Sequence, residues 1–120
     1  MKGPYIGAKF VGTLSSQPVS SVSLSEQFTL NVHWESATNA PILSLCDSGG
    51  RSLWSRLVVP VLFGEETPRG QIVELQLTSS RKIRTGLLVS LLCDWTGGGK
   101  EAGVIILDTN YNFRSFSLDW

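Results

Sequence analysis

Phe28-Thr-Leu-Asn-Val-His-Trp-Glu35 alternates apolar and polar residues without a break. Successive side chains of a strand point to opposite faces, so this period-two pattern predicts a strand with one face toward a core. Phe28, Leu30, Val32 and Trp34 fall on the core face. Thr29, Asn31, His33 and Glu35 fall on the other, where a solvated histidine is expected. A helix would need apolar residues at i, i+3, i+4 and i+7, and no segment of the chain sustains that spacing. The chain therefore reads as all-β.

Working outward, Ile6, Ala8, Phe10, Gly12 and Leu14 share one face of a preceding strand. Ser15 to Ser25, with six serines and Pro18, reads as the loop between the two. Downstream strands are expected at Ile42 to Cys46, Leu57 to Phe63, Ile72 to Leu77, Leu87 to Trp95, Val104 to Leu107 and Phe113 to Leu118. Turn chemistry separates them: Ser-Gly-Gly, Glu-Glu-Thr-Pro-Arg-Gly, Arg-Lys-Ile-Arg and Thr-Gly-Gly-Gly-Lys. Short strands at this spacing in a chain of 120 residues predict one domain, a small barrel or an antiparallel sandwich. Leu57 to Phe63, Leu87 to Leu92 and Val104 to Leu107 are apolar on both faces, which predicts a second covered surface, such as a subunit interface. Pro60 lacks an amide to donate, so its strand is expected at an edge or at a bulge.

Ten basic and ten acidic residues cancel, so no global field draws the chain to a polyanion or an anionic membrane. The chain has no apolar run near the roughly 20 residues of a membrane helix and no leader-like start, and is expected to be soluble and cytoplasmic rather than secreted. Cys46 and Cys93 lack metal-ligand spacing and lie in apolar runs, which predicts buried thiols rather than a disulfide.

The inventory for catalysis is thin. His33 is the single histidine, so neither a multi-histidine metal site nor an imidazole pair can form, and no Gly-x-Ser-x-Gly elbow is present. Asp94-Trp-Thr-Gly-Gly-Gly-Lys100 has the glycines of a phosphate loop. Asp94 stands where that motif needs its first glycine and Glu101 where it needs a hydroxyl, and a strand follows instead of a helix. A hairpin turn is expected there. Leu45-Cys-Asp-Ser-Gly-Gly50 echoes it, each strand ending in an aspartate suited to starting a turn. Neither enzymatic activity nor a cofactor is expected.

Binding has more to draw on. Trp34, Trp54, Trp95, Phe63 and Tyr111 are interleaved with Arg51, Arg56, Arg69, Arg81, Lys82, Arg84 and Lys100. Aromatic faces for stacking and cations for phosphates are what a single-stranded nucleic-acid surface requires. Gly12-Thr-Leu14 with Pro18, Phe28-Thr-Leu-Asn-Val32, Trp54-Ser-Arg56 with Val58, Val59 and Phe63-Gly64, Arg69-Gly70, and Trp95 with Gly99-Lys100 follow one another in a familiar order. In that order they resemble the oligonucleotide-binding (OB) fold of the bacterial single-stranded-DNA-binding proteins. Between Phe63 and Gly70 there is no room for that family's helix. The resemblance implies an OB-like barrel, a homo-oligomer, and bases stacking on Trp54, Phe63 and Trp95. Arg51, Arg56 and Lys100 would meet phosphate, Lys100 at the tip of a hairpin arm.

The first expectation is thus a non-enzymatic single-stranded-DNA-binding protein. The alternative is a β-sandwich subunit for protein interaction or self-assembly, in which the same strands form a protein interface. A carbohydrate-binding module with Trp54 or Trp95 as sugar platform is a third.

Overall fold

The computed structural model describes residues 4–10, 14, 17–36, 40–60, 72–97 and 99–119. They form nine strands: β1 Pro4–Lys9, β2 Ser20–Ser23, β3 Phe28–Glu35, β4 Ala40–Asp47, β5 Ser52–Pro60, β6 Ile72–Ile83, β7 Gly86–Trp95, β8 Lys100–Asp108 and β9 Phe113–Asp119. Among the described residues no helix is long and apolar enough to cross a membrane.

The strands hydrogen-bond in the order β2-β3-β4-β5-β1-β9-β8-β7-β6, every neighbour pair antiparallel. Two four-strand meanders, β2–β5 and β6–β9, flank β1, and their inner faces share one core. Leu30, Val32, Leu43 and Val58 of the first meet Leu75, Val89, Leu91, Ile105, Leu107 and Phe116 of the second. Each fully buried leucine stabilises the fold by about 2 kcal/mol.

β2 and β6, the two ends of this order, also come together. Leu77 N–H donates to Ser20 Oγ at 2.9 Å and the Ser80 hydroxyl donates to Ser23 O at 3.2 Å. Serine side chains join this seam in place of a backbone ladder, so the expected barrel is not closed and the architecture is a sandwich.

Several expectations are corrected. Part of the expected Ser15 to Ser25 loop is β2, an edge strand whose partner, β3, supplies the pairing that local propensity does not. Arg81-Lys-Ile83, expected as a separator, continues β6, because β7 pairs with it through Ile83. His33 is buried, not solvated. It lies opposite Ile42 in β4, and Ile42 and Ser44 on that same outward face are fully buried. At these positions of β3 and β4 the first sheet is therefore covered on its outer face as well. At the two ends of the β1–β2 connection, Phe10 N–H donates to Ser55 O and Val19 N–H to Val32 O. Pro60 ends β5 opposite Tyr5, in an interior strand rather than at an edge, and β5 carries its bulge at Leu53, which the register skips between the Leu45–Trp54 and Cys46–Ser52 pairs. Residues 61–63 of the expected strand lie outside the described residues.

Candidate interaction surface

β1 pairs with β5 from Tyr5 to Lys9 but with β9 only at Pro4 and Tyr5. Beyond Tyr5 the backbone ladder to β9 stops and side chains take over. Trp54 and Arg56 lie on the inner face of β5, in register with Leu45 and Leu43. A bulge between Ile106 and Leu107 brings Phe113 onto the inner face of β9. The Trp54 and Phe113 rings meet edge-on at 6.2 Å, and the Arg56 guanidinium carbon sits 4.7 Å from the Phe113 centroid. Trp54 Nε1 donates to Tyr111 O at 2.8 Å, and Phe28 lies 4.7 Å from the Tyr111 ring.

The β8–β9 turn positions this cluster. Asp108 Oδ1 accepts the amides of Asn110 at 2.8 Å and Asn112 at 2.9 Å, and Tyr111 takes a φ of 65°. The Asn112 amide above all, with Asn110 and Arg114 adding to it, holds the Asp108 carboxyl below the usual carboxylate range.

The residues expected to bind nucleic acid are dispersed. Trp54 and Arg56 come together, but half-buried and engaged with Phe113. Trp95 is 3% exposed and part of the core, so it presents no face to a base. This corrects its expected role: β7 turns Leu87, Val89, Leu91, Cys93 and Trp95 inward, and that parity decides it. Phe63 lies outside the described residues. Arg51 is exposed beside the β4–β5 turn, 3.6 Å from Asp47. Asp47 Oδ1 accepts the amides of Gly49 and Arg51, as its turn role predicted. Lys100 is exposed at the start of β8, opposite Asp94. The glycine run between them connects two strands, with Gly99 at φ 92°, so no helix N-terminus faces an anion there.

The two outer faces differ in chemistry. On the first sheet a polar chain crosses four strands, from Ser21 to Asn31 (2.7 Å), Cys46 (3.4 Å), Ser44 (3.3 Å), Ser52 (3.1 Å) and Ser55 (3.0 Å). On the second sheet the register places Leu88 beside Ile106, Ser90 beside Val104 and Leu92 beside Ala102. Leu92 and Ala102 are exposed and Leu88, Val104 and Ile106 half-buried. A sandwich ordinarily turns polar residues outward. This apolar patch was visible in the sequence only as two-faced apolar runs.

A recess of about 240 Å³ beside Lys82, Gly86, Asp108 and Tyr111 falls below the usual ligand-pocket range of roughly 300–1,000 Å³. Among the described residues no three His, Cys, Asp or Glu side chains gather as a metal site. Cys46 and Cys93 are free and buried. Burial first, then the charges of Glu101 and Asp94, pushes the Cys93 thiol up to about 12.

Comparison with family models, curated proteins and solved structures found no match to this chain.

Proposed function

We propose that this protein is a non-enzymatic β-sandwich interaction module that docks the outer face of β6–β9 against another protein surface. The observation that carries this reading is the apolar cluster of Leu88, Leu92, Ala102, Val104 and Ile106 on a face that a lone sandwich would keep polar. A zero net charge is compatible with such a contact and gives no long-range attraction to nucleic acid. The single-stranded-DNA reading retains Arg51 and Lys100 as exposed cations. Of its stacking groups, Trp95 lies in the core and Trp54 in the junction with β9, while Phe63 falls outside the described residues.

Two measurements separate the readings. An apolar fluorescent dye is expected to bind the dilute wild type and to lose that binding in Val104→Arg, with an unchanged far-UV spectrum. Tryptophan fluorescence is expected to stay constant during titration with an unstructured oligonucleotide. Salt-dependent quenching, with dye binding equal in both proteins, would overturn the interaction reading in favour of nucleic acid.

A further inference from the structure

We infer that the surface docked on β6–β9 is the same face of a second copy, related by a two-fold axis that runs across the strands through Ser90 and Val104. This rests on the interaction reading above and names its partner. A two-fold contact sets each position against its mirror about the axis, so the pattern of the face can be checked against itself.

On β7 and β8 the face passes that check row by row. Leu88 and Leu92 lie two residues either side of Ser90, and Ile106 and Ala102 two residues either side of Val104. Across the axis Leu88 meets Leu92 of the second copy, and large Ile106 meets small Ala102. Val104 meets Val104, and the Ser90 hydroxyls meet each other. Lys100 and Asp108 lie four residues either side of Val104, so each lysine faces an aspartate. On the same rows Asp94 falls opposite Gly86, which has no side chain. On β6, Arg81 neighbours Ile83, the position opposite Glu74 of the second copy.

An axis parallel to the strands matches less well. It sets Ile106 on Leu88 and leaves the Ser90 hydroxyl against Val104, a polar group without a partner. Two sheets packed face to face keep strand directions within about 30°, so the strand-crossing axis is compatible with sandwich stacking.

Size decides the strength. Four strands about 4.8 Å apart, with β8 nine residues long, make a face roughly 19 Å by 30 Å. The pair would bury on the order of 1,200 Å², the lower end of specific interfaces, so association is expected to be concentration-dependent. The Lys100–Asp108 pairs, Lys100 exposed and Asp108 half-buried, contribute to register more than to affinity.

Leu88→Cys and Leu92→Cys, made separately, test the arrangement, because the native thiols Cys46 and Cys93 are buried. Far-UV spectra confirm that each variant folds. Facing sheets stack about 10 Å apart, too far for a direct disulfide, so a short thiol–thiol crosslinker is used. The mixture is expected to form a cross-linked dimer with one copy of each, and neither variant alone. In this register two Leu92 positions are offset by roughly 13 Å along the strand, beyond the reach of such a linker. A strand-parallel axis would reduce that offset to about 5 Å. Self-linking of Leu92→Cys, or absence of the mixed product from protein that sediments as a dimer, overturns this register and leaves the interaction reading intact. Sedimentation as a monomer up to high micromolar concentration overturns the second copy as partner. Failure of the interaction reading itself shows separately, in the dye and oligonucleotide measurements.

Discussion

Trp54 Nε1 donates to the carbonyl oxygen of Tyr111 at 2.8 Å, across 57 residues of sequence. It bridges β5 to the β8–β9 turn where β1 no longer pairs with β9. Trp54→Phe keeps the ring and removes the donor, and is expected to destabilise by about 1 kcal/mol. Trp54→Ala also loses the Phe113 contact and is expected to destabilise by about 3 kcal/mol. Urea midpoints measure both. Stability unchanged by Trp54→Ala would contradict a structural role and return this indole to the candidates for base stacking.

The β2–β6 seam rests on hydroxyls. Ser20→Ala leaves the Leu77 amide without its Ser20 partner, and a loss of about 1 kcal/mol is expected. The local signature is sharper: hydrogen exchange at Leu77 should accelerate in this variant while the β7–β8 amides keep their protection. Equal acceleration throughout the sandwich would show that the seam is not a separate unit.

Gly86 and Gly50 make a paired test. A Cβ at Gly86 would lie 1.9 Å from Leu107 O, whereas one at Gly50 meets nothing within 4 Å. Gly50→Ala meets only the strain of φ 84°, about 1 kcal/mol. Gly86→Ala must displace backbone and is expected to lose about 4 kcal/mol or to fail to fold. Thermal melts of the two variants should differ in that order.

Asp108 links the β8–β9 turn to pH. Its folded carboxyl is held below the ordinary value, first by the Asn112 amide. The stability it contributes is therefore present above the unfolded value near 3.8 and is lost as pH falls through the lower folded value. Asp108→Ala is expected to flatten the acid limb of the urea-midpoint profile below about pH 4. A limb as steep as in the wild type would assign it to other carboxylates.

Cys93 predicts the opposite limb. Its thiol is raised from 9.0 to about 12, so the folded chain holds the proton more tightly than the unfolded one. This contribution is whole below about 9 and declines as pH rises toward 12. Cys93→Val should flatten the alkaline limb, and a thiol reagent at pH 8 should label neither cysteine until denaturant is added. Rapid labelling of the native protein would contradict the buried placement of both.

Alternation by itself determined a good deal of this protein. Phe28 to Glu35 could be read as a strand with Leu30 and Val32 inward, and Asp47 as a turn former, because strand geometry and aspartate turns act over a few residues. Trp54 and Trp95 were indistinguishable at that range, each an indole near a strand end with a cation close by. Only the tertiary structure set Trp95 on the inward parity of β7 and Trp54 against Phe113. His33 and the serines of β2 were misjudged for the same reason: their surroundings come from distant strands. In Leu87 to Leu92 every second leucine had to face outward, and which ones did so was decided by the pairing of β7 with β8. Local pattern states that a face is apolar. What covers that face depends on contacts remote in sequence, and those follow from register and chain crossing, which no short window contains.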